Sequence, residues 1–114
     1  LILWLDSRTK SLVGRYSRKI VQPKTGLIPS TYFSAVKMRW MVENLELNRE
    51  RVKFATVDAL LLNTLTGRFA TDTSNASRTM LMDLEKGDWE KVMLDMFGID
   101  QSQLPLIRDS IGDF

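Results

Sequence analysis

The clearest hydrophobic pattern of the chain lies in residues 32–44. Four apolar residues there and just beyond recur at the spacing of one helical face, namely Met38, Met41, Val42 and Leu45. Ser34 belongs to the residue types that cap helix N-termini, so we predict that an amphipathic helix begins at this position. The charged side chains fall largely off the apolar face and are expected to reach solvent or a neighbouring element through their long stems. They are Lys37, Arg39 and Glu43.

Two later stretches have the same helical periodicity. Thr56 would cap a helix that Gly67 ends, because glycine adopts the left-handed conformation common after helix C-termini. The apolar residues of this helix surround much of its circumference, which predicts deep packing. They are Val57, Leu60, Leu61, Leu62 and Leu65. A second helical face runs through residues 89–97, between a turn and cap at Asp88 and an end at Gly98.

The N-terminal part is predicted to contain a strand, a helix and a loop. Residues 1–5 are continuously apolar, which is typical of a strand buried on both faces and suggests a fragment of a larger domain. Thr9 would cap a helix over residues 10–20, which Gly14 weakens. Residues 21–31 contain two prolines and a glycine, so they are predicted to form a loop.

The second half of the chain is expected to contain mostly short elements. Residues 68–72 and 79–84 are predicted to be extended. The small polar residues 73–77 suit turns and caps, because their side chains can bond nearby backbone groups. Residues 104–105 and the tail 108–114 are predicted to be irregular.

The composition is that of a single globular domain, and it excludes several kinds of metal site and catalytic site. The chain has 114 residues, 44% of them hydrophobic, and shows no internal repeat or boundary. Its net charge of +2 comes from interspersed signs, which argues against a nucleic-acid partner. The absence of cysteine and histidine excludes disulfides, thiolate or histidine metal sites and the usual serine and cysteine hydrolase triads. Its apolar runs are too short for a membrane span, so a cytoplasmic protein is expected.

The identities of several residues resemble those of a known family. An aromatic pair and a serine at residues 32–34, followed by Lys37, Trp40 and the Glu-Asn pair at 43–44, resemble a signature of the FGGY family of carbohydrate kinases. The block at residues 71–81, Thr-Asp-Thr-Ser-Asn-Ala-Ser-Arg-Thr-Met-Leu, is similar to the glycerol kinase branch of that family. Further matching blocks follow in the family's order at residues 4–9, 25–27, 54–58, 88–89, 97–99 and 104–105.

The resemblance implies a fold and an activity. The fold would be α/β, a helix-rich fragment of an actin-like, ribonuclease H-like ATPase domain with a few short strands. Residues 1–114 would form part of the family's N-terminal domain. The parent protein would use ATP and Mg²⁺ to phosphorylate glycerol or a similar small polyol.

The resemblance also implies two substrate-binding residues. Trp4 would pack against the carbon backbone of glycerol, and Tyr32 would offer its hydroxyl to a glycerol oxygen. The family's phosphate loop, Arg-Glu substrate pair, catalytic aspartate and adenosine segment have no counterpart in the chain. We therefore expect no catalytic, nucleotide-binding or metal-binding residue here, and the remainder of the kinase chain is the expected partner. The aspartates are interpreted as turn, cap or structural residues, namely Asp6, Asp58, Asp72 and Asp88.

Two alternatives stay open. Ala55, Ala59 and Leu60 depart from the family pattern, so another polyol or sugar kinase of the family is the second hypothesis. A non-catalytic interaction module that kept the fold is the third. Residues 74–77 suggest a phosphate cradle, but they lack the glycines and lysine of a phosphate loop, so a structural role is favoured. Because an excised buried strand exposes apolar surface, self-association into homo-oligomers, or partial disorder, is expected of the isolated chain.

Overall fold

A computed structural model describes residue 2 and residues 6–111 of the chain. The strand predicted for residues 1–5, apart from residue 2, therefore lies outside the described residues, and so does Trp4. The helices are α1 (Lys10–Val13), α2 (Arg18–Thr25), α3 (Ser34–Asn44), α4 (Val57–Thr66), α5 (Thr73–Ala76) and α6 (Lys91–Phe97). The strands are β1 (Ala70–Asp72), β2 (Met82–Asp83), β3 (Asp88–Trp89) and β4 (Leu106–Arg108), and a 3-10 turn lies at Gln101–Gln103.

The strands form two separate pairs. β1 lies parallel to β4, with Ala70 opposite Leu106, and β2 lies antiparallel to β3. The prediction of an irregular tail was wrong at its start, because β4 finds its backbone partner in a segment distant along the chain. Asp88 was expected to cap the last helix, but it lies in β3 and Glu90 caps α6 instead, its carboxylate accepting from the N–H of Val92.

The core forms where the first turn of α3, the helix α6 and residues 79–82 meet. The largest fully buried apolar side chains are Phe97, Met80, Leu81, Met93, Val21 and Val36. Tyr16 packs its ring on that of Phe97, with 4.2 Å between centroids, and burial raises the pKa of the Tyr16 phenol. The core thus joins segments from most of the chain.

The single helix predicted for residues 10–20 is instead two helices. α1 ends at Gly14, and a new helix begins after Ser17, whose hydroxyl accepts from the N–H of Lys19 at 3.2 Å. α2 continues through Pro23, so the loop predicted for residues 21–31 was wrong over its first part. It ends at Gly26, whose φ of 73° is the left-handed conformation that glycine adopts readily.

The start of α3 differs by one residue from the prediction, and its buried face differs more. Phe33, not Ser34, is the N-cap, and the four consecutive residues 35–38 are buried. Leu45 was expected on the apolar face but is 46% exposed. The reason is that the first turn of α3 inserts into the core while its last turn lies at the surface.

Lys37 is the clearest exception to the predicted polar face of α3. It was expected to reach solvent or a neighbouring element, and only 8% of it is exposed, so it does not extend into solvent. Burial lowers the pKa of the Lys37 amine, and the carboxylate of Asp6 opposes that shift. The periodicity predicted the helix, but the burial of each side chain depends on the elements that pack against it.

The deep packing predicted for α4 was wrong. Ala59 is its one buried residue, facing the side on which α4 packs against β1. The other side carries Val57, Leu60, Leu61 and Leu65, which are 65%, 54%, 57% and 74% exposed. We call these four residues the outer face of α4. Nothing in the described part of the chain covers it.

Truncating the centre of the core should destabilise the protein. Phe97→Ala is expected to lower the free energy of unfolding by about 3–5 kcal/mol, because it leaves a cavity beneath the Tyr16 ring. Val92→Ala is the matched control, since Val92 lies on the same helix but is half exposed, and it should cost less than about 1 kcal/mol. Urea unfolding of both variants measures the difference, and equal losses would show that α6 is not packed as described.

Candidate functional site

Tyr32 lies in the loop immediately before α3 and is 49% exposed. Its backbone N–H donates to the Ser30 hydroxyl at 3.2 Å, which shapes the loop locally. Its ring stands edge to face with that of Phe33, with 5.3 Å between centroids and 83° between planes. This is a favourable geometry for two aromatic rings. The sequence-predicted site residue is therefore at the surface, with its ring packed on the residue that follows it.

Phe33 connects Tyr32 to a second segment of the chain. It is buried, with 9% exposed, and the guanidinium of Arg78 lies over its ring with Cζ 5.1 Å from the centroid. Arg78 itself is exposed and follows the short helix α5. A cation over an aromatic face is attracted by the quadrupole of the ring. Three side chains, Tyr32, Phe33 and Arg78, thus form a continuous row that we call the aromatic–arginine row.

A backbone hydrogen bond fixes the same two segments to each other. The N–H of Ala35, in the first turn of α3, donates to the carbonyl of Thr79 at 2.9 Å. Thr79 is almost fully buried, and its hydroxyl donates to the carbonyl of Ala76 at 2.7 Å and accepts from the N–H of Leu81 at 3.1 Å. Hydrogen bonds of Thr79 therefore fix the backbone next to Arg78.

The polar block at residues 73–77 is used for local structure. Asp72 is the N-cap of α5, and its Oδ1 accepts from the backbone N–H and the side-chain amide of Asn75 at 2.8 and 2.9 Å. Ser77 donates its hydroxyl to the carbonyl of Ser74 at 2.7 Å. The donors of Asn75 and Ser77 are engaged by neighbouring residues of the chain, which agrees with the structural role favoured over a phosphate cradle.

The other aspartates of the sequence analysis also have local partners. Asp6 accepts from the backbone N–H and the guanidinium of Arg8 at 2.9 and 3.0 Å. Asp58 accepts from the hydroxyl of Thr71 at 2.6 Å, which ties the start of α4 to β1. None of the acidic and other metal-ligating side chains within the described ranges gathers into a group of three or more that could hold a metal ion.

Two open surface clefts lie elsewhere. One, of about 520 Å³, lies between α2 with the residues just before it, α3 and α6, and is lined in part by Tyr16, Arg39 and Glu43. The other, of about 410 Å³, lies beside β3 and β4 and is lined in part by Trp89 and Leu106. Tyr32 lines neither cleft. Across residue 2 and residues 6–111, no helix is long and apolar enough to cross a membrane.

Sequence reasoning named one member of the aromatic–arginine row and missed two. Phe33 and Arg78 were each quoted within family blocks, but no role was given to either. The sequence shows only that Arg78 follows a capped polar turn. This pattern does not predict which aromatic ring the guanidinium contacts. Trp4, the second predicted substrate residue, lies outside the described residues, so its role stays a prediction.

Comparison with known proteins assigns the chain to a family. The family described as "FGGY family of carbohydrate kinases, N-terminal domain" matches residues 1–112. The chain belongs to the FGGY family of carbohydrate kinases. The resemblance inferred from the sequence blocks is thereby confirmed.

Individual FGGY relatives point to one branch. A glycerol kinase of Thermococcus kodakarensis is 43% identical over 117 aligned residues, which cover 96% of this chain and 24% of that protein. A glycerol kinase of Roseobacter denitrificans is 40% identical, with 99% of this chain and 25% of that protein covered. The chain thus spans about a quarter of the length of these curated relatives.

Solved FGGY structures confirm the predicted fold class. Glycerol kinase of Plasmodium falciparum, solved with ADP, superposes with a TM-score of 0.92 at 34% identity, covering 99% of this chain and 24% of that one. Xylulose kinase of Lactobacillus acidophilus, solved with a ligand, gives a TM-score of 0.81 at 27% identity, with 94% and 23% covered. The described residues are a helix-rich α/β part of this actin-like ATPase fold, with a few short strands.

The charge of Asp72 should make the stability of the protein depend on pH. The hydrogen bond from the backbone N–H of Asn75, followed by that from the Ser110 hydroxyl, lowers the pKa of Asp72. A lowered pKa in the folded state adds stability above the unfolded-state value of about 3.9, and this stability is lost as the pH falls through the lower folded value. In Asp72→Asn the cap remains but the charge is gone, so this part of the acid dependence should disappear.

Thermal unfolding of the wild type and Asp72→Asn over about pH 2–7 measures that difference. Asp109→Asn is the matched control, because Asp109 is exposed and makes no hydrogen bond or ion pair with any residue that the structure describes. Identical acid profiles for the wild type and Asp72→Asn would contradict the assigned role.

Proposed function

We propose that this chain is part of the N-terminal domain of an ATP-dependent glycerol kinase, where it contributes to the glycerol-binding side. The reaction converts glycerol and ATP to glycerol 3-phosphate and ADP. The observation that carries the proposal is the likeness to glycerol kinases over nearly the whole chain, 43% and 40% identical in sequence and with a TM-score of 0.92 in structure.

Phosphoryl transfer needs three things from a kinase. The acceptor hydroxyl must be positioned, a base must take its proton, and cationic or metal clamps must hold the phosphates. In this proposal the chain supplies part of the first requirement only. The catalytic base and the phosphate clamps belong to the remainder of the kinase chain.

Tyr32 suits the positioning of a small polyol. Its phenol carries a hydroxyl that can donate and accept, and half of the residue is accessible. Glycerol has little apolar area, so a few well-aimed hydrogen bonds and a flat ring are an effective way to bind it. Trp4 would supply that ring.

ATP and Mg²⁺ are proposed cofactors of the whole kinase and do not fit the residues present here. In the polar block at 73–77, Asn75 donates to Asp72 and Ser77 donates to the carbonyl of Ser74, and the described residues offer no acidic cluster for the metal. No step is therefore assigned to this chain beyond holding the acceptor. A cytoplasmic location and the absence of a nucleic-acid partner stay predictions.

The proposed partner of the chain is the rest of the same kinase. The chain spans about a quarter of its relatives, and the outer face of α4 carries four apolar residues that a larger domain would cover. β1 and β4 form a parallel pair, and parallel sheets in proteins are normally covered on both faces. Both features support packing of further chain against α4.

A sugar kinase of the same family is the second candidate. Ala59 and Leu60 depart from the glycerol kinase pattern, and a xylulose kinase and a gluconate kinase superpose with TM-scores of 0.81 and 0.82. Specificity constants of the whole kinase for glycerol, other polyols and pentoses distinguish the two. A higher value for a pentose would replace the first proposal with the second.

Removing the Tyr32 hydroxyl should weaken glycerol binding. In the whole kinase, Tyr32→Phe is expected to raise the KM for glycerol about twofold to tenfold, the range for one neutral hydrogen bond. The KM for ATP should not change. Tyr16→Phe is the control, because Tyr16 packs on Phe97 in the core rather than lying at the proposed site. An unchanged KM for glycerol in Tyr32→Phe would remove Tyr32 from the site.

A charge introduced on the outer face of α4 should lower the free energy of unfolding only in the whole kinase. In the 114-residue chain, Leu61→Lys is expected to change the unfolding free energy by less than about 0.5 kcal/mol, because Leu61 is exposed there. In the whole kinase the same change should cost about 2–4 kcal/mol, since it would bury a charge in an apolar contact.

Asn63→Lys, an exposed polar position of the same helix, is the control for that experiment. Denaturant unfolding of both proteins in both lengths provides the comparison. A loss for Leu61→Lys no larger in the whole kinase than in the short chain would show that the outer face stays uncovered.

A further inference from the structure

We propose that Asp83 and Glu90 form a proton-sharing carboxyl pair, a pH-sensitive contact that holds the β2–β3 hairpin to the start of α6. The folded protein keeps one proton on this pair at pH values where both acids are ionised in the unfolded chain. The inference goes beyond the proposed function and does not depend on it, because neither residue belongs to the proposed glycerol site.

Both carboxyl groups of the pair are buried. Asp83 and Glu90 are each 5% exposed, and no other aspartate or glutamate in the described part of the chain is buried. A buried charge is costly unless a partner compensates it, and two buried charges of the same sign also repel each other. Two ionised carboxylates at this place would therefore destabilise the fold.

The register of the hairpin brings the two side chains together. Asp83 lies opposite Asp88, and the N–H of Glu90 donates to the carbonyl of Leu81 at 2.8 Å, so Glu90 is the diagonal neighbour of Asp83. Diagonal neighbours on one face of a strand pair are within reach of long side chains. Both carboxylates also meet Lys86, whose N–H donates to Oδ1 of Asp83 at 3.2 Å and whose Nζ lies 3.7 Å from Oε2 of Glu90.

One oxygen of the pair lacks a donor that a shared proton would supply. Oε1 of Glu90 accepts from the N–H of Val92 at 3.4 Å, but Oε2 is buried and accepts no hydrogen bond from any donor group of the described residues. Hydrogen bonds from the backbone N–H groups of Lys86 and Glu85, and then one from the Glu90 side chain, lower the pKa of Asp83 against the effect of burial. Asp83 is therefore the accepting member of the pair.

The cations around the pair are too exposed to neutralise two buried charges. The side chain of Lys86 is 68% exposed, and an ion pair with an exposed lysine is screened by water. Lys24 also attracts Asp83, from the exposed surface of α2. The charged groups of the elements around the pair are Lys24 of α2, Glu85 and Lys86 of the turn, Asp88 of β3 and Lys91 of α6, all of them exposed. A shared proton removes one of the two buried charges.

The shared proton predicts a definite sign for the pH dependence of stability. The lowered pKa of Asp83 adds stability above the unfolded value of about 3.9, which is lost as the pH falls. The shared proton acts in the opposite direction, because the folded state then binds more protons than the unfolded state above about pH 4.3, and stability falls as the pH rises. The chain contains no histidine or cysteine, so no side chain of ordinary pKa titrates between about pH 5 and 7.

Thermal unfolding of the protein between about pH 5 and 7 tests the pair. The unfolding temperature of the wild type is expected to fall by about 4–8 °C over this range as the shared proton is lost. Asp83→Asn and Glu90→Gln each replace that proton by an amide donor and keep an oxygen acceptor, so their unfolding temperatures should stay constant within about 2 °C. Glu85→Gln, an exposed acid of the same turn, is the matched control and should keep the wild-type slope.

A second measurement uses the wild type alone, so it is decisive even where a variant does not fold. Carbon-13 NMR follows the side-chain carboxyl carbons of Asp83 and Glu90 from about pH 3 to 8. Both carbons should report the same two titration steps, because coupled groups titrate as a pair, with the upper step above about pH 5. Separate single steps, both complete by about pH 5, would overturn the inference. A flat wild-type unfolding profile, or a decline that persists in both Asp83→Asn and Glu90→Gln, would overturn it as well.

Discussion

The rest of the structure depends on how the first turn of α3 is seated against residues 79–81. A helix N-terminus leaves several N–H groups without intrahelical partners, and the N-cap here, Phe33, has no side chain that accepts a hydrogen bond. The carbonyl of Thr79 takes that role for Ala35. Met80, which follows, has a φ of 67° and is fully buried, so packing holds a backbone conformation that non-glycine residues rarely adopt.

This junction connects the fold to the proposed function. Next to the hydrogen bond that satisfies the helix start, Arg78 lies over the ring of Phe33, and the half-exposed Tyr32 packs on the same ring. The family block at residues 71–81 thereby gains a physical meaning that does not require it to touch phosphate. Its polar groups build a tight turn, and the turn supports a loop on another segment.

The outer face of α4 has a similar relation to the family. Four exposed apolar residues on one helix are unusual for a protein surface, and the described residues leave them uncovered. Membership of a family whose glycerol kinases are about four times as long offers an explanation. The deep packing that hydrophobic content predicted for α4 is therefore absent among the described residues, and the remainder of the kinase is the proposed cover. The described residues do not include a surface that buries the outer face of α4.

The sequence by itself determined the family, the central helices and their ends, because periodicity, Gly67 and Gly98 are local signals. It also singled out Tyr32, through a resemblance and not through its chemistry. Only the tertiary structure decided that Lys37 is buried, that Leu106–Arg108 pairs with Ala70–Asp72, and that Arg78 meets Phe33. Each of these depends on contacts between segments far apart along the chain. Such contacts depend on packing of the whole fold, which no window of neighbouring residues contains.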